Sequence, residues 1–207
     1  MPTSIRSSPA ALAAPIVTAL LASSAAVSFA LWAGSDVIEQ SQFAARWTAR
    51  ASFLVFLVAY TASAMARLFP GPVTKALLRR RRQWGLGFAL SHTIHLAALI
   101  TYLSLSGEER PLGVLIGGGL GYALMFAMAL TSNDASQRML GGWWKRLHRL
   151  GIHYIWFIFL FSYAGRLADP DRIQIGLVFT PIALAALGLR ITARYKSLRR
   201  GRAATAG

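Results

Sequence analysis

The sequence predicts an all-α membrane protein, a six-helix transmembrane bundle with both termini in the cytoplasm. Three observations predict it. Hydrophobic residues make up 55% of the 207 and charged residues only 14%, whereas an ordinary soluble domain carries about 25% charged residues. The apolar residues gather in six runs, each near the roughly 20 residues that cross ~30 Å of hydrocarbon. Short basic clusters separate those runs, as loops at a membrane surface do.

Taken in order, residues 1–9 are polar with Arg6, and the first apolar run extends from Ala10 to Ala33. Small residues between Ser23 and Ala30 resemble a signal-peptide cleavage region, but the run is longer than an h-region of about 7–15 residues, so a membrane span is expected. A polar loop, 34–48, carries Asp36, Glu39 and Arg46 and leads into a second run, Ala49–Phe69, which Pro70-Gly71-Pro72 ends. A basic loop with Lys75 and Arg79 to Arg82 precedes the third run, Trp84–Leu105. Ser106 to Pro111 is a turn bearing Glu108 and Glu109, and Gly113–Leu130 is the fourth run. Its glycines at 117, 118, 119 and 121 predict close helix approach. A phosphate-cradling loop is a poor reading, because no strand precedes them.

Residues 131–149 form a loop and amphipathic lead-in, where Arg138, Lys145, Arg146 and Arg149 stand beside Trp143-Trp144 in the manner of an interfacial belt. The fifth run, Leu147–Leu167, turns through Ala168 to Arg172 into the sixth, Ile173–Leu189. The tail, 190–207, is basic and rich in small residues, and is expected to be partly disordered. Domain organisation is therefore a cytoplasmic N-terminus (1–9), a membrane domain (10–189) and a basic cytoplasmic tail (190–207).

Orientation follows from charge. The N-terminus, the 67–83 loop, the 131–149 segment and the tail hold 17 of the 22 Lys and Arg, while six of the seven acids fall on the opposite side. The positive-inside rule then places both termini and both large basic loops in the cytoplasm. A net charge of +15 would suit nucleic acid, but the cations lie in clusters between apolar runs rather than along one soluble face, so lipid and not nucleic acid is the expected partner. Absence of cysteine excludes disulfides, iron–sulfur clusters and thiolate metal sites. Serine–histidine–acid and paired-carboxylate catalysis are also set aside, since the acids lie at the surface away from the histidines.

The histidines carry the chemistry. Ionisable residues deep in hydrocarbon are costly and mark functional sites by default. His92 and His95, in the third run, are three apart and share a helix face. His148 and His153, at and beyond the start of the fifth, are five apart and diverge by about 140°. All four of the chain's histidines thus fall on two segments. A lone membrane histidine is as readily a polar residue bonding across helices, but the clustering points to a cofactor such as a haem with axial imidazoles. Arg81 and Arg82 have a plain reading as membrane anchors and a sharper one as partners of a haem propionate or quinone head group.

Arg81-Arg82-Gln83-Trp84-Gly85-Leu86 followed by His95 resembles the Arg-Arg-x-x-Gly-Leu…His pattern of the ferric-reductase-like transmembrane domain family. More narrowly, it resembles the haem-binding membrane subunit of the bacterial periplasmic methionine-sulfoxide reductase system. A second block is similar too: Thr131-Ser132, Leu140-Gly141 and Trp144-Lys145-Arg146-Leu147-His148-Arg149-Leu150 against Thr-Ser…Leu-Gly…Trp-Lys-x-Leu-His-x-Leu. Arg46-Trp47, Arg50 and Arg67 also stand where that family tends to have basic residues. The likeness spans roughly residues 45–165.

The resemblance implies six helices, haem b with quinone or FMN as a further cofactor, and His95, His148 and Arg81 as haem-associated residues. It departs at Phe161, where the family commonly has a further histidine. His92 and His153 are extra relative to the pattern. His153 lies deeper than His148 by about 7 Å and His92 shallower than His95 by about 4 Å. One relocated haem is therefore expected nearer the cytoplasmic side, ligated by His92 or His95 and by His153 or His148. The function implied is an electron-transfer subunit of a bacterial inner membrane. It would take electrons from a flavin reductase or quinone, having no nucleotide-binding domain, and pass them to a partner oxidoreductase such as a periplasmic reductase. The alternative is a haem-free scaffold or assembly protein that keeps the fold after losing a ligand. A transporter is less suited, since no paired broken helices are evident.

Overall fold

A computed structural model describes residues 9–205, and these form helices and turns without a strand among them. The helices are α1 (Pro9–Ala33), α2 (Val37–Leu68), α3 (Pro72–Arg79), α4 (Arg81–Ser106), α5 (Leu112–Leu130), α6 (Asp134–Gly165) and α7 (Ile173–Thr205), with a 3₁₀ turn at Arg166–Ala168. All but α3 are long and apolar enough to cross a membrane, making six candidate spans among the described residues. Each predicted run lies within one of them but for at most three residues at either end, so the all-α membrane class holds. The expected polar N-terminus lies almost wholly outside the described residues.

Three boundaries differ from the sequence reading, and each has a local cause. The loop expected over 34–48 is mostly helix, because Asp36 and Glu39 build an N-terminal cap. Asp36 Oδ1 accepts from Glu39 N at 2.8 Å, and Glu39 Oε2 accepts from Ser35 N and Oγ at 2.8 and 2.6 Å. These bonds satisfy amide groups that a helix start leaves without partners. The lead-in before the fifth run joins the span in one helix, capped where Asn133 Oδ1 accepts from Ser136 N at 2.7 Å. Within α6, Gly141 takes φ 48°, ψ −113°, a backbone state open in practice to glycine, and swivels the lead-in against the span. The tail expected to be partly disordered continues α7 to Thr205. The basic loop, moreover, contains α3, a short helix with no buried residue.

The chain divides into two compact units, the boundary falling inside α2 between Ala59 and Tyr60. In the first, α1 meets α4 closely through small residues. Gly87 lies under α1, where a Cβ would stand 3.1 Å from both Ala19 Cβ and the Pro15 carbonyl. One turn on, Ser23 and Ser91 join by their hydroxyls at 2.7 Å. Small residues allow this approach where lipid gives helices no hydrophobic drive to associate. The next residue round α4, Phe88, packs its ring 5.2 Å from Phe56 of α2, and Phe53 and Phe56 are fully buried there.

The second unit contains the end of α2, α3, α5, α6, the 3₁₀ turn and α7. Along α6, Gly151, Ile155, Phe159 and Tyr163 are buried at four-residue spacing, as one helix face requires. Only part of the glycine cluster makes the expected close contact. Gly117 and Gly121 stand against Tyr154 and Ile158 of α6, whereas Gly118 and Gly119 face open space. The spacing of four selects one face, and residues one or two positions away cannot share it. Large apolar side chains of α5, such as Leu112, Ile116 and Leu130, are exposed, as a surface facing lipid demands.

Candidate functional site

In the first unit, antiparallel α2 and α4 meet along one polar seam. Its register follows from opposite faces of two helices, with α2 contributing residues at 42, 48, 52, 56 and 59 and α4 their counterparts in reverse. Arg81 Nε donates to the Ala59 carbonyl at 3.2 Å. Then come Phe56 against Phe88, Ser52 Oγ at 2.8 Å from His92 Nδ1, and Thr48 Oγ1 at 3.4 Å from His95 Nδ1. At the far end, Gln42 Nε2 donates to Tyr102 Oη at 2.8 Å, and Tyr102 Oη donates to Glu108 Oε2 at 2.5 Å. Ser52 and Thr48 are completely buried.

The two histidines sit at mid-helix, about 16 and 21 Å along α4 from Arg81 at 1.5 Å per residue. Their rings are neighbours, with centroids 4.9 Å apart, and His92 stacks on Phe88 at 5.2 Å. As predicted, they share a face. Two such rings on successive turns of one helix present to the same side and would not hold one metal between them.

The two histidines of α6 have separate environments within the second unit. His148 faces α5 and the turn before α6. Its Nδ1 bonds the Trp144 carbonyl at 3.1 Å, its ring lies on Trp144 at 4.0 Å, and its Nε2 is 3.4 Å from Ser132 Oγ. Trp144 Nε1 in turn donates to the Thr131 carbonyl at 2.9 Å. His153 bonds the Arg149 carbonyl through Nδ1 at 2.8 Å and meets the Tyr60 ring edge-on at 5.8 Å. Because a carbonyl oxygen only accepts, Nδ1 of both residues carries a proton. Nε2 of His153 is then the nitrogen left to bind a ligand, whereas Nε2 of His148 already meets a hydroxyl.

Two groups near His153 are invisible to motif reading. The Arg190 guanidinium donates to the Tyr60 carbonyl at 2.6 Å and lies 4.4 Å from the Tyr60 ring centroid, and Trp156 stacks parallel to that ring at 6.4 Å. Arg190 looks in sequence like the first residue of a basic tail. Ser52 and Thr48 likewise resemble ordinary small polar residues. The signal available for them was spacing: hydroxyls four apart on one apolar run and imidazoles three apart on another.

Phe161, the position where a further histidine would stand, is 67% exposed and stacks on Phe157 at 6.1 Å. It lies off the buried face of α6. Among the described residues no group of three or more His, Cys, Asp or Glu could hold a bare metal ion. A haem iron needs only one or two protein ligands, and half-buried imidazoles on apolar helices fit that donor set. No protein-family model matches the chain, and no solved structure matches it.

Proposed function

We propose that the chain binds haem b within the membrane and relays electrons from a cytoplasmic flavin reductase or the quinone pool to a partner oxidoreductase or external acceptor. The observation that carries this reading is the pair His92 and His95, half-buried at mid-helix with Nδ1 of each beside an α2 hydroxyl. An imidazole pair at that depth is costly without a task. Haem would bring one-electron chemistry. The chain's own residues would supply an imidazole nitrogen to the iron, an apolar surround of Phe53, Phe56 and Phe88, and the exclusion of water. His92 or His95 is the α4 ligand. Within the second unit, Nε2 of His153 would be a readier ligand than that of His148, which lies 3.4 Å from Ser132 Oγ. Arg81 and Arg82 stand at the basic end of α4, suited to an anionic propionate, quinone head group or FMN phosphate. The location is a bacterial inner membrane with both termini cytoplasmic, and a periplasmic reductase is the partner in keeping with the resemblance.

Purification in mild detergent after haem-replete expression, followed by reduced-minus-oxidised spectra, tests the proposal. A Soret band with sharp b-type α absorption is expected, lost in His92→Ala/His95→Ala. A colourless wild-type protein overturns it. One observation favours a second reading, a haem-free membrane scaffold or assembly protein: the surface position of Phe161 offers no ligand where the resembling pattern has one. The same spectra distinguish the two.

A further inference from the structure

We propose that Arg67 and Arg190, both in the second unit, hold the phosphate of an anionic phospholipid between them. The site stands independently of the haem reading.

It starts from the course that Arg190 takes. An arginine near the end of a membrane span ordinarily snorkels, with its stem along the helix and its head in water. Arg190 instead turns its head across to α2, where it donates to the Tyr60 carbonyl at 2.6 Å and lies 4.4 Å from the Tyr60 ring centroid. That ring is itself held, with Trp156 stacked parallel to it at 6.4 Å and His153 edge-on at 5.8 Å. The carbonyl takes one of the five guanidinium N–H donors. Arg67 brings a second cation. It stands two turns beyond Tyr60 on the same face of α2, and helical side chains lean back toward the N-terminus, which carries its charge toward Arg190. The two arginines act on each other electrostatically, and neither has a carboxylate partner among the described residues. Alone, each has a plain reading, Arg67 as a cation on the last turn of a helix and Arg190 as a cation over a ring. Together they are like charges that repel unless an anion lies between them.

The depth of the pair identifies the anion. Helix α3 follows closely on the end of α2 and has no buried residue. It sets Val73 and Leu77 on the side opposite Lys75 and Arg79, the pattern of a helix lying in the membrane interface. Headgroups therefore stand near the level of Arg67, and the Tyr60 carbonyl is about 10 Å further in. A lipid phosphate occupies that zone by nature, whereas a water-soluble anion would have to leave water to reach it. Guanidinium groups bond phosphate oxygens with paired, charge-assisted hydrogen bonds, and basic pockets between membrane helices take anionic headgroups. A zwitterionic lipid carries the same phosphate, but its ammonium group would meet two cations.

The test is thermal unfolding of the full chain in neutral detergent with phosphatidylglycerol, phosphatidylcholine or inorganic phosphate added. Phosphatidylglycerol should raise the midpoint progressively with its concentration, and the other two should not. Arg67→Gln, at an exposed position, should fold as the wild type does and need about fivefold more phosphatidylglycerol for half the shift, while Arg67→Lys keeps most of the effect. Arg190→Gln should start from a lower midpoint, having lost its bond to Tyr60, and should show the same fivefold loss. Lys196→Gln removes an equal charge from another, exposed face of α7 and should leave the lipid effect unchanged. Equal shifts with phosphatidylglycerol and phosphatidylcholine overturn the proposal, as does an undiminished phosphatidylglycerol effect in Arg67→Gln or Arg190→Gln. Equal losses in Arg67→Gln and Lys196→Gln also overturn it, marking a diffuse basic surface instead of a site. A midpoint raised as far by inorganic phosphate overturns the lipid assignment and makes this a site for free phosphate.

Discussion

Ser23 and Ser91 share a hydrogen bond of 2.7 Å with no exposed surface on either residue, one turn from the point where Gly87 touches Pro15 and Ala19. This contact makes α1 a packed member of its unit, and it sets α4 so that its next residues, Phe88 and His92, face α2. Gly87→Val should therefore lower stability by about 1–3 kcal/mol through overpacking. Ser91→Ala should cost about 0.6 kcal/mol and no more than roughly 1.7, the range for hydrogen bonds between membrane helices. Gly85→Val is the control, since nothing lies within 4 Å of a Cβ there. Thermal unfolding in detergent reads all three, and equal losses at 85 and 87 would refute the α1–α4 contact.

Gly141 supplies a second, purely conformational prediction. At φ 48°, ψ −113° an L side chain strains the backbone, so Gly141→Ala should cost about 1–3 kcal/mol. Its neighbour Gly142 is exposed, helical and without contacts, and Gly142→Ala should be neutral or stabilise by up to about 1 kcal/mol. A pair of unfolding curves that move together would show α6 to be an unbroken helix at this point.

How much of this was legible in the sequence depends on the length scale of the signal. Six spans were legible, because apolar runs of membrane length are long-range patterns that few alternatives produce. Helix starts were less so. Asp36 and Glu39 read as loop acids by composition, yet at three-residue spacing they form a cap that carries α2 back to Val37. His92 and His95 were legible as a pair from spacing alone, and their partners on α2 were not, since pairing residues 52 with 92 and 48 with 95 requires the antiparallel register of two helices. Arg190 misled for another reason. Its charge suggested a solvated tail, but a long side chain can lie back along the helix and bond a carbonyl, which is a tertiary event.

Arg190 yields the third prediction. Its guanidinium both donates to the Tyr60 carbonyl at 2.6 Å and covers the Tyr60 ring at 4.4 Å. A charged hydrogen bond contributes about 1.5–3 kcal/mol and a desolvated cation–π contact up to about 2, though the two are not additive in one group. Arg190→Leu should destabilise the protein by roughly 2–4 kcal/mol. Arg190→Lys should recover only part of that, because an ammonium lacks the planar fork that bonds and stacks together. Full recovery by lysine would mean that charge alone matters here. Arg194→Leu, on the same helix and exposed, should change stability by less than about 0.5 kcal/mol.

The last prediction concerns direction, on which the proposed electron path depends. The chain has no cysteine, so single-cysteine variants can be labelled without background. Lys75 and Lys145 are exposed in segments of the basic side, and Glu109 and Asp171 are exposed in turns of the acidic side. Lys and Arg resist translocation, while Asp and Glu contribute little to orientation, so replacing one acid or one lysine leaves the overall bias intact. In intact spheroplasts a membrane-impermeant maleimide should label Glu109→Cys and Asp171→Cys, and should reach Lys75→Cys and Lys145→Cys only after lysis. The reverse pattern would put the basic end of α4, with Arg81 and Arg82, on the outer face. His92, nearer that end than His95, would then lie nearer the outer face, and the proposed haem would have to receive its electrons from the Tyr102–Glu108 end of the seam instead.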